Sequence, residues 1–416
     1  MSWLASTISQ AEQTSDWLSE KRQQSLALLR ETPWPSKRTE AWKYTPINTV
    51  ERAKFEAVEA AAIPPLTSIE GLESLDLYFV DGQLQTQCST LQLPEGLTIK
   101  PLAQGAELSW AREQFANIKP NKHFFGLVND TLATQGCVIE VEADASIDQP
   151  IRLVQHFSSQ SQAHLRVLVK LNSGAKACII EQFSGDALSL NTSFAEYDIA
   201  TQAHLEHYRL ALQTQEAISV GGCHFNLAEK AKLISNLIGF GSQLSRVDMD
   251  IIHAGEHAYS KLNVIYLLDH RELFDLHSCI EHTKAHGVSE ENVRCIVADR
   301  ANAVFNGRIH IHRDAQKILA EMNNRNLLMS DNAQINTKPE LEIYADDVRC
   351  AHGATIAEID EEAMFYLRSR GISRSDAQVL LSFGFINELV DQMDNQALAQ
   401  WLRPQLRERF AKMELV

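Results

Sequence analysis

A small alanine opens a run of strand-like residues at nearly regular intervals in the middle of this 416-residue chain, and this repeat strongly constrains the fold. Each alanine stands between polar or small residues; the five are Ala175, Ala203, Ala231, Ala258 and Ala285. Their spacings are 28, 28, 27 and 27 residues, and Ala315 and Ala333 continue the theme less regularly. A period in this range is typical of a solenoid, in which each coil buries its inner face only against neighbouring coils.

The residues between the alanines have the period of a β-strand. Every second position of one such run is apolar, namely Leu165, Val167, Val169 and Leu171. A period of two predicts a strand with one strongly buried face, and Asn172-Ser173-Gly174 then predicts a turn. A β-sandwich has similar strands, but its turn signals come more densely. We therefore favour a β-solenoid.

The two ends of the chain show helical spacing instead. Apolar residues recur at helical intervals over the first thirty residues, until Thr32-Pro33-Trp34-Pro35 ends the pattern. We expect a mixture of helices and short strands from residue 51 to about 130. The prediction is a mostly helical N-terminal domain over residues 1–135, a β-core over 136–352 and a helical C-terminal domain over 353–416.

The C-terminal domain carries clear helix signals. Asp360-Glu361-Glu362 places negative charge where a helix begins, and Gly371 fits a C-terminal stop. Ser373 with Asp376 resembles a capping box, although Glu or Gln is its usual partner. These signals predict helices after about residue 355.

Composition limits the classes of function. Hydrophobic residues make up 44% and charged residues 22% of the chain, as in ordinary globular proteins. The net charge of −16 repels phosphate backbones and disfavours a nucleic-acid partner. The chain has no apolar run long enough for a transmembrane helix, and its start lacks the features of a secretion or transit signal. We expect a cytoplasmic protein.

The seven cysteines are odd in number, widely spaced and without a C-x-x-C pair, so neither a disulfide framework nor a zinc ribbon is expected. Phosphate-loop, zinc-protease and nucleophile-elbow motifs are absent from the sequence. Gly239-Phe240-Gly241-Ser242 begins like a dinucleotide fingerprint, but Leu244 stands in place of the third glycine. These motifs therefore predict no nucleotide or hydrolase site.

Three histidine pairs could hold a metal by spacing alone. His310 and His312 project from the same face of a strand, but two histidines leave zinc short of ligands. We favour exposed or hydrogen-bonded histidines there. The pairs His253/His257 and His282/His286 have helical spacing in a region predicted to be β, which removes the geometric argument for chelation.

Cys350-Ala351-His352 is the better candidate for a metal or cluster site. On an extended segment the thiol and the imidazole face the same way, and both suit iron, zinc or an iron–sulfur cluster. Two ligands cannot complete such a site, so a partner would have to supply the rest. From local chemistry alone, a purely structural role stays open.

Several longer segments carry a resemblance to a known family. They resemble the SufB/SufD family of iron–sulfur cluster assembly scaffold proteins, from about residue 36 to about residue 390. Gly353 after His352 favours the SufD branch, because SufB-type chains have Glu at that point. The segments are Lys37-Arg38-Thr39-Glu40-Ala41-Trp42-Lys43-Tyr44-Thr45-Pro46, Ala303-Val304-Phe305-Asn306-Gly307, Asn323-Asn324-Arg325-Asn326-Leu327-Leu328-Met329, residues 337–355 and residues 365–372.

The resemblance implies a right-handed parallel β-helix flanked by helical N- and C-terminal domains. It implies a non-catalytic scaffold subunit that pairs with SufB and shares with it a transient iron–sulfur cluster, held here by His352 with Cys350. It further implies that the ATPase SufC docks on the C-terminal helical domain. The residues expected at that docking surface are Phe365, Tyr366, Arg368, Arg370 and Gly371.

The resemblance also bears on cofactors and assembly. The isolated chain is expected to hold no cofactor of its own, whereas reduced flavin is associated with some complexes of this family. A homodimer of the isolated chain is compatible with the family.

Two other functions compete. Many parallel β-helices cleave polysaccharides with clustered acidic residues, but Asp346 and Asp347, as neighbours on a strand, would point to opposite faces. The other alternative is the SufB paralogue, which would differ mainly in its cluster ligands.

Overall fold

The structure is a computed structural model that describes residues 2–53, 55, 63–158 and 160–413. In these ranges the chain forms eight α-helices and nineteen β-strands. The helices are α1 (Trp3–Gln13), α2 (Ser19–Glu31), α3 (Asn48–Arg52), α4 (Ala111–Gln114), α5 (Phe124–Leu132), α6 (Glu361–Ser369), α7 (Arg374–Asp391) and α8 (Gln396–Lys412).

The strands fill the middle of the chain, and most are eight to eleven residues long. They are β1 (Leu75–Val80), β2 (Gln83–Leu84), β3 (Leu97–Pro101), β4 (Gln135–Val141), β5 (Ile151–His156), β6 (Gln162–Leu171), β7 (Lys176–Ser184), β8 (Leu190–Ile199), β9 (His204–Ala211), β10 (Ile218–Leu227), β11 (Lys232–Gly239), β12 (Leu244–His253), β13 (Tyr259–Leu268), β14 (Leu273–His282), β15 (Val288–Val297), β16 (Asn302–Ile311), β17 (Ile318–Leu328), β18 (Gln334–Ile343) and β19 (Val348–Glu358).

Consecutive strands from β4 to β19 alternate between two sheets. Sheet I has the order β19-β17-β15-β13-β11-β9-β7-β5-β1-β2, and sheet II has the order β18-β16-β14-β12-β10-β8-β6-β4-β3. The ladders from β4 onward are parallel, and among the described strands antiparallel ladders occur only where β2 and β3 join the sheets. This topology confirms the predicted β-solenoid and excludes a sandwich, whose sheets are antiparallel.

The repeated alanines mark one corner of the solenoid. Before the first four of them stands a residue in the left-handed region: Gly174, Gln202, Lys230 and His257 have φ between +56° and +71°. The alanines that follow, Ala175, Ala203, Ala231 and Ala258, are fully buried. A methyl group fills this corner because the backbone of the next coil passes close by.

The alanine repeat predicts the last of these corners at Ala285, which is wrong by two residues. The left-handed residue of that coil is His286, with φ +63°, so its corner position is occupied by Gly287 and not by Ala285. A Cβ atom at Gly287 would lie 2.6 Å from Nδ1 of His282. The histidine therefore takes the space that a methyl group fills in the earlier coils.

The core of the solenoid lies between the two sheets. Alternate residues of each strand point inward, and Leu165, Val167, Val169 and Leu171 all belong to this buried cluster, as predicted. Gly239 ends β11 against the ring of Phe274, which a Cβ atom there would meet at 2.4 Å. No helix follows directly after Gly239-Phe240-Gly241-Ser242, so these glycines serve packing and turn geometry.

The N-terminal segments cover the outer face of sheet II. Helices α1 and α2 are separated by a break in which Asp16 accepts a hydrogen bond from the Leu18 amide at 2.9 Å. Arg246 of β12 lies 4.1 Å from the ring of Trp42, and Thr45 donates to Asp275 of β14 at 2.6 Å. Within the predicted N-terminal domain, β1 pairs in parallel with β5, so strand structure begins well before residue 136.

The C-terminal helices α7 and α8 cover part of the outer face of sheet I. Ile386, Leu389 and Leu398 pack in one cluster with Ile265 and Ile296 of the sheet. The predicted capping interaction is present: Ser373 Oγ accepts from the Asp376 amide at 3.1 Å. Strand β19 runs through the predicted boundary between residues 352 and 353. No described helix combines the length and apolar character needed to cross a membrane.

Candidate functional site at the open end of the solenoid

The last strand of sheet I carries the predicted Cys350-Ala351-His352 motif. In the parallel ladder of β17 and β19, Cys350 lies opposite Ala320 and His352 lies opposite Met322. Ala320 and Met322 are core residues with 0% and 1% exposure. Side chains of register partners share a face of the sheet, so Cys350 and His352 both point to the inner side of the solenoid.

This strand is the open edge of sheet I. Sheet order ends at β19 in sheet I and at β18 in sheet II. Residues 351–358 are all exposed, whereas β15, two coils earlier in the same sheet, has seven buried and three half-buried residues. An open strand edge presents unpaired backbone groups that can template another strand. The motif therefore lies where another chain can reach it.

The two candidate ligands differ in their surroundings. Cys350 packs against the inner core and is half-buried, whereas His352 is exposed. Burial raises the pKa of the Cys350 thiol, although a hydrogen bond with the Ala320 backbone acts in the opposite direction. Cys350 is thus protonated at neutral pH until a metal ion or a cationic partner favours the thiolate.

Polar side chains replace the apolar core in the last coil. Asn324 and Asn326 point inward from β17 and are buried. Asn324 Oδ1 accepts from Asn326 at 2.6 Å and from Thr337 of β18 at 2.8 Å. Asn326 also donates to the Thr355 carbonyl of β19 at 3.0 Å. This amide network holds the terminal strand in place beside the motif.

Cys350 and His352 do not complete a metal site by themselves. Among the described residues, four groups of at least three metal-ligating side chains have their donor atoms within 4.8 Å of one another, and neither residue belongs to any of them. Asp346 and Asp347 lie in the bend before β19 and not on a strand, which corrects the sequence interpretation. Lys317 pairs with Asp347 at 3.3 Å. Cys350 and His352 thus share one face of β19 without a third metal-ligating side chain grouped with them among the described residues.

A second predicted surface lies on helix α6, two residues after β19. Asp360 caps the helix and accepts from the Glu362 and Ala363 amides. Met364 is buried, whereas Phe365 and Tyr366 on the other side are 74% and 56% exposed.

Arg370 follows α6 directly. Its guanidinium carbon lies 5.0 Å from the centre of the Tyr366 ring. Gly371 has φ +84°, as the predicted stop requires. The five residues expected at a docking surface, Phe365, Tyr366, Arg368, Arg370 and Gly371, are all exposed.

The sequence predicted which histidines share a face of a strand but not which histidines of different coils pack together. His253 contacts His282 of the next coil, with ring centres 4.3 Å apart, and His257 stacks on His286 at 4.5 Å. The contacts therefore run between coils and not along the helical spacing. His310 and His312 do share a face, with ring centres 4.3 Å apart.

Sequence reasoning missed two buried polar clusters. Inside the solenoid, Glu181 accepts from Arg209 at 2.7 Å and from Tyr197 at 2.5 Å. On sheet II, Asp250 Oδ2 contacts His123 at 2.7 Å and His224 at 2.9 Å. Pairs such as Glu181 and Arg209 stand 28 residues apart, so the repeat period was the signal that could have found them.

Comparison with known proteins assigns both halves of the chain. Residues 154–385 match the family described as "SUF system FeS cluster assembly, SufBD core domain", and residues 5–153 match "SufBD protein N-terminal region". The chain is 31% identical to the iron–sulfur cluster assembly protein SufD of Escherichia coli (strain K12), over 94% of this chain and 93% of that protein.

Other relatives cover the chain as completely. A SufBD family iron–sulfur cluster assembly protein of Synechocystis is 29% identical, over 92% of this chain and 89% of the relative. The iron–sulfur cluster assembly protein SufD of Bacillus subtilis (strain 168) is 23% identical, over 95% and 94% respectively. The similarity thus extends through the solenoid and both helical ends.

Proposed function

This chain belongs to the SufB/SufD family of iron–sulfur cluster assembly proteins, and we propose that it is the non-catalytic scaffold subunit that pairs with SufB and docks the ATPase SufC. In this proposal Cys350 and His352 are half of the ligand set for a nascent iron–sulfur cluster. The cluster is cargo, built at the interface and passed on.

The observation that carries the proposal is the position of Cys350 and His352 on β19, the last strand of sheet I, whose outer edge is open. They share the inner face of β19, with no third ligand grouped with them among the described residues. Iron–sulfur clusters are commonly held by four protein ligands. A partner that adds thiolate or carboxylate donors across the open end would complete the set.

The open edges of β18 and β19 suit a partner with the same architecture. A SufB-type solenoid end could continue both sheets by strand addition, in which backbone hydrogen bonds supply affinity. Exposed apolar side chains at this end, Ile343, Tyr344 and Ile356, are 42%, 59% and 51% exposed. Contact with a partner would remove this apolar surface from water.

The surface of α6 is our proposed SufC contact. Phe365 and Tyr366 offer exposed aromatic area, and Arg368 and Arg370 offer cationic donors; aromatic and arginine residues dominate interface energetics. Only Ile359 and Asp360 separate α6 from β19. A movement of α6 on ATP binding by SufC would therefore pull directly on the strand that carries the half-site.

Reduced flavin in the complex stays a prediction, with no residue assigned to it. A homodimer of the isolated chain stays a prediction; if it used the same open end, SufB and a second copy would compete for β18 and β19.

The test of the half-site is His352→Ala in the reconstituted complex with SufB and SufC, supplied with Fe2+, sulfide and ATP under anaerobic conditions. We expect the complex to assemble, but the rate of cluster formation to fall by about tenfold or more, as for lost metal-site contacts. His257→Ala is the matched control, because His257 is an exposed histidine of the solenoid. Wild-type rates of cluster formation in an assembled His352→Ala complex would overturn the proposal.

A further inference from the structure

The outer face of sheet II carries a group of metal-ligating side chains that the proposed half-site does not use. Donor atoms of Glu281, His310 and His312 all lie within 4.8 Å of one another. Glu281 of β14 and His310 of β16 are register partners in the parallel ladder. His312 follows β16 and is held by a 3.0 Å hydrogen bond from its amide to the His282 carbonyl.

The two imidazoles are arranged for a shared ligand. Their ring centres are 4.3 Å apart, with planes at 18°, an arrangement that would be repulsive if both were protonated. In its neutral form each ring has one nitrogen with a lone pair that can bind a metal. Neutral imidazole is the form that binds metals.

His312 has an unused ring nitrogen. Its Nε2 is shielded from solvent but has no hydrogen-bond partner within the described chain. The nearest carboxylate oxygen, Glu281 Oε2, lies 3.6 Å away, too far for a hydrogen bond. A metal ion between the two atoms would satisfy both.

Arg308 places a positive charge beside the group, and this charge would oppose a metal ion unless another side chain compensates it. Its Nη2 lies 3.2 Å from His310 Nδ1, but its shorter contact is with Glu342 Oε2 at 2.6 Å. The guanidinium charge is therefore already paired with Glu342. Releasing His310 costs one long hydrogen bond and leaves the Arg308 ion pair intact.

The other three groups of this kind have structural explanations. Arg209 already occupies the group of Glu181, His207 and Cys223, with its Nη1 2.7 Å from Glu181. In the group of His123, His224 and Asp250, one carboxylate oxygen already contacts both rings. In the group of Asp269, His270 and Asp299, the only histidine is 67% exposed and 3.9–4.0 Å from its carboxylates.

We propose that Glu281, His310 and His312 form a second metal site, which takes one divalent transition-metal ion of the Fe2+, Co2+ and Zn2+ class. Two imidazoles and one carboxylate, with the remaining positions open to water, form a ligand set that proteins use for Fe2+ and Zn2+. The site lies on the outer face of sheet II, whereas Cys350 and His352 lie on the inner face of sheet I. It needs no partner chain.

The experiment uses the full-length chain with Cys350→Ser and His352→Ala, so that the proposed half-site cannot contribute. After removal of metals with a chelator, the protein is titrated anaerobically with Co2+ and followed by equilibrium dialysis and visible absorption. We expect one Co2+ per chain and a spectrum without sulfur-to-cobalt charge transfer. A charge-transfer band would point to Cys279 on the same face and overturn the ligand set.

Variants of the ligands complete the test. His310→Ala and His312→Ala should each weaken Co2+ binding by about tenfold or more. Glu281→Gln keeps the size of the side chain, so it should weaken Co2+ binding to the same extent without changing the melting temperature. This variant keeps the test decisive if a histidine variant does not fold.

The double variant His257→Ala/His286→Ala is the matched control. It removes another stacked and exposed histidine pair that has no grouped carboxylate among the described residues, and Co2+ binding should be unchanged. Absence of stoichiometric binding, or equal binding in His312→Ala, would refute the second site without affecting the proposal for Cys350 and His352.

Discussion

Arg209 Nη1 lies 2.7 Å from Glu181 Oε2 inside the solenoid, where both side chains are almost completely removed from water. Burial alone would raise the pKa of Glu181, but Arg209, His207 and Tyr197 outweigh it and lower the pKa to about 2. Removing one partner of a buried ion pair leaves a charge without compensation. Glu181 and Arg209 are therefore expected to depend strongly on each other.

This pair predicts an acid-sensitive contribution to stability. Since the pKa of Glu181 is lower in the folded chain than the ordinary 4.5, its contribution is complete above about pH 5 and is lost as the pH falls toward 2. The contribution is on the order of 3 kcal/mol. Urea unfolding of wild type and Glu181→Gln between pH 3 and 7 should show a free-energy gap that narrows at acid pH.

The controls separate this pair from other carboxylates. Glu229→Gln removes an exposed carboxylate that pairs with Lys230 and should change the pH profile far less than Glu181→Gln, because water screens an exposed ion pair. Glu181→Gln/Arg209→Met should be more stable at pH 7 than Glu181→Gln alone, because no unpaired guanidinium remains buried. If the difference in unfolding free energy between wild type and Glu181→Gln does not change with pH, Glu181 does not have a lowered pKa in the folded chain.

Gly136 should not tolerate a side chain. It has φ +132°, and a Cβ atom there would lie 1.8 Å from the carbonyl oxygen of Arg166 in the neighbouring strand. Gly136→Ala is expected to lower the free energy of unfolding by at least about 1–3 kcal/mol through backbone strain. Thermal and urea unfolding of the purified variant would measure the loss.

The matched substitution Gly384→Ala should act in the opposite direction. Gly384 lies in α7, and an added Cβ atom there meets nothing within 4 Å. Alanine in a helix is favoured over glycine by about 0.5–1 kcal/mol, so this variant should be slightly more stable. Equal changes in the free energy of unfolding for the two variants would contradict a close approach at Gly136.

Phe365→Ser should weaken SufC binding without unfolding the chain. The side chain is 74% exposed, so its removal costs little stability, whereas loss of an aromatic anchor at an interface costs about 2 kcal/mol or more. Surface plasmon resonance with immobilised SufC would detect the change. Leu28→Ser on α2, at a 39% exposed position, is the control and should bind SufC normally.

Ile356→Lys should weaken pairing with SufB. Ile356 is 51% exposed on the open strand β19, and a lysine on an edge strand opposes strand addition. Analytical ultracentrifugation of mixtures with SufB should show a lower heterodimer fraction, with an unchanged melting temperature of the free chain. If the heterodimer forms as tightly as with wild type, the partner surface lies elsewhere.

Local signals led to the correct elements where they were strong. Thr32-Pro33 ended helix α2, Asp360 began α6 and the alternation at residues 165–171 became β6. The alanine repeat gave the wrong corner at Ala285 because the length of the coil changes there. The left-handed corner residues Lys230 and His257 are 27 residues apart, whereas His257 and His286 are 29 apart. A repeat defined by one alanine cannot follow such a change.

By itself the sequence determined the solenoid, its helical ends and the shared face of Cys350 and His352, because each depends on spacing within one strand or helix. Only the tertiary structure decided which residues of different coils meet, such as Glu281 with His310 or Glu181 with Arg209. The physical reason is register: a strand fixes which side chains point the same way, but the lengths of the intervening turns fix which strand positions become neighbours.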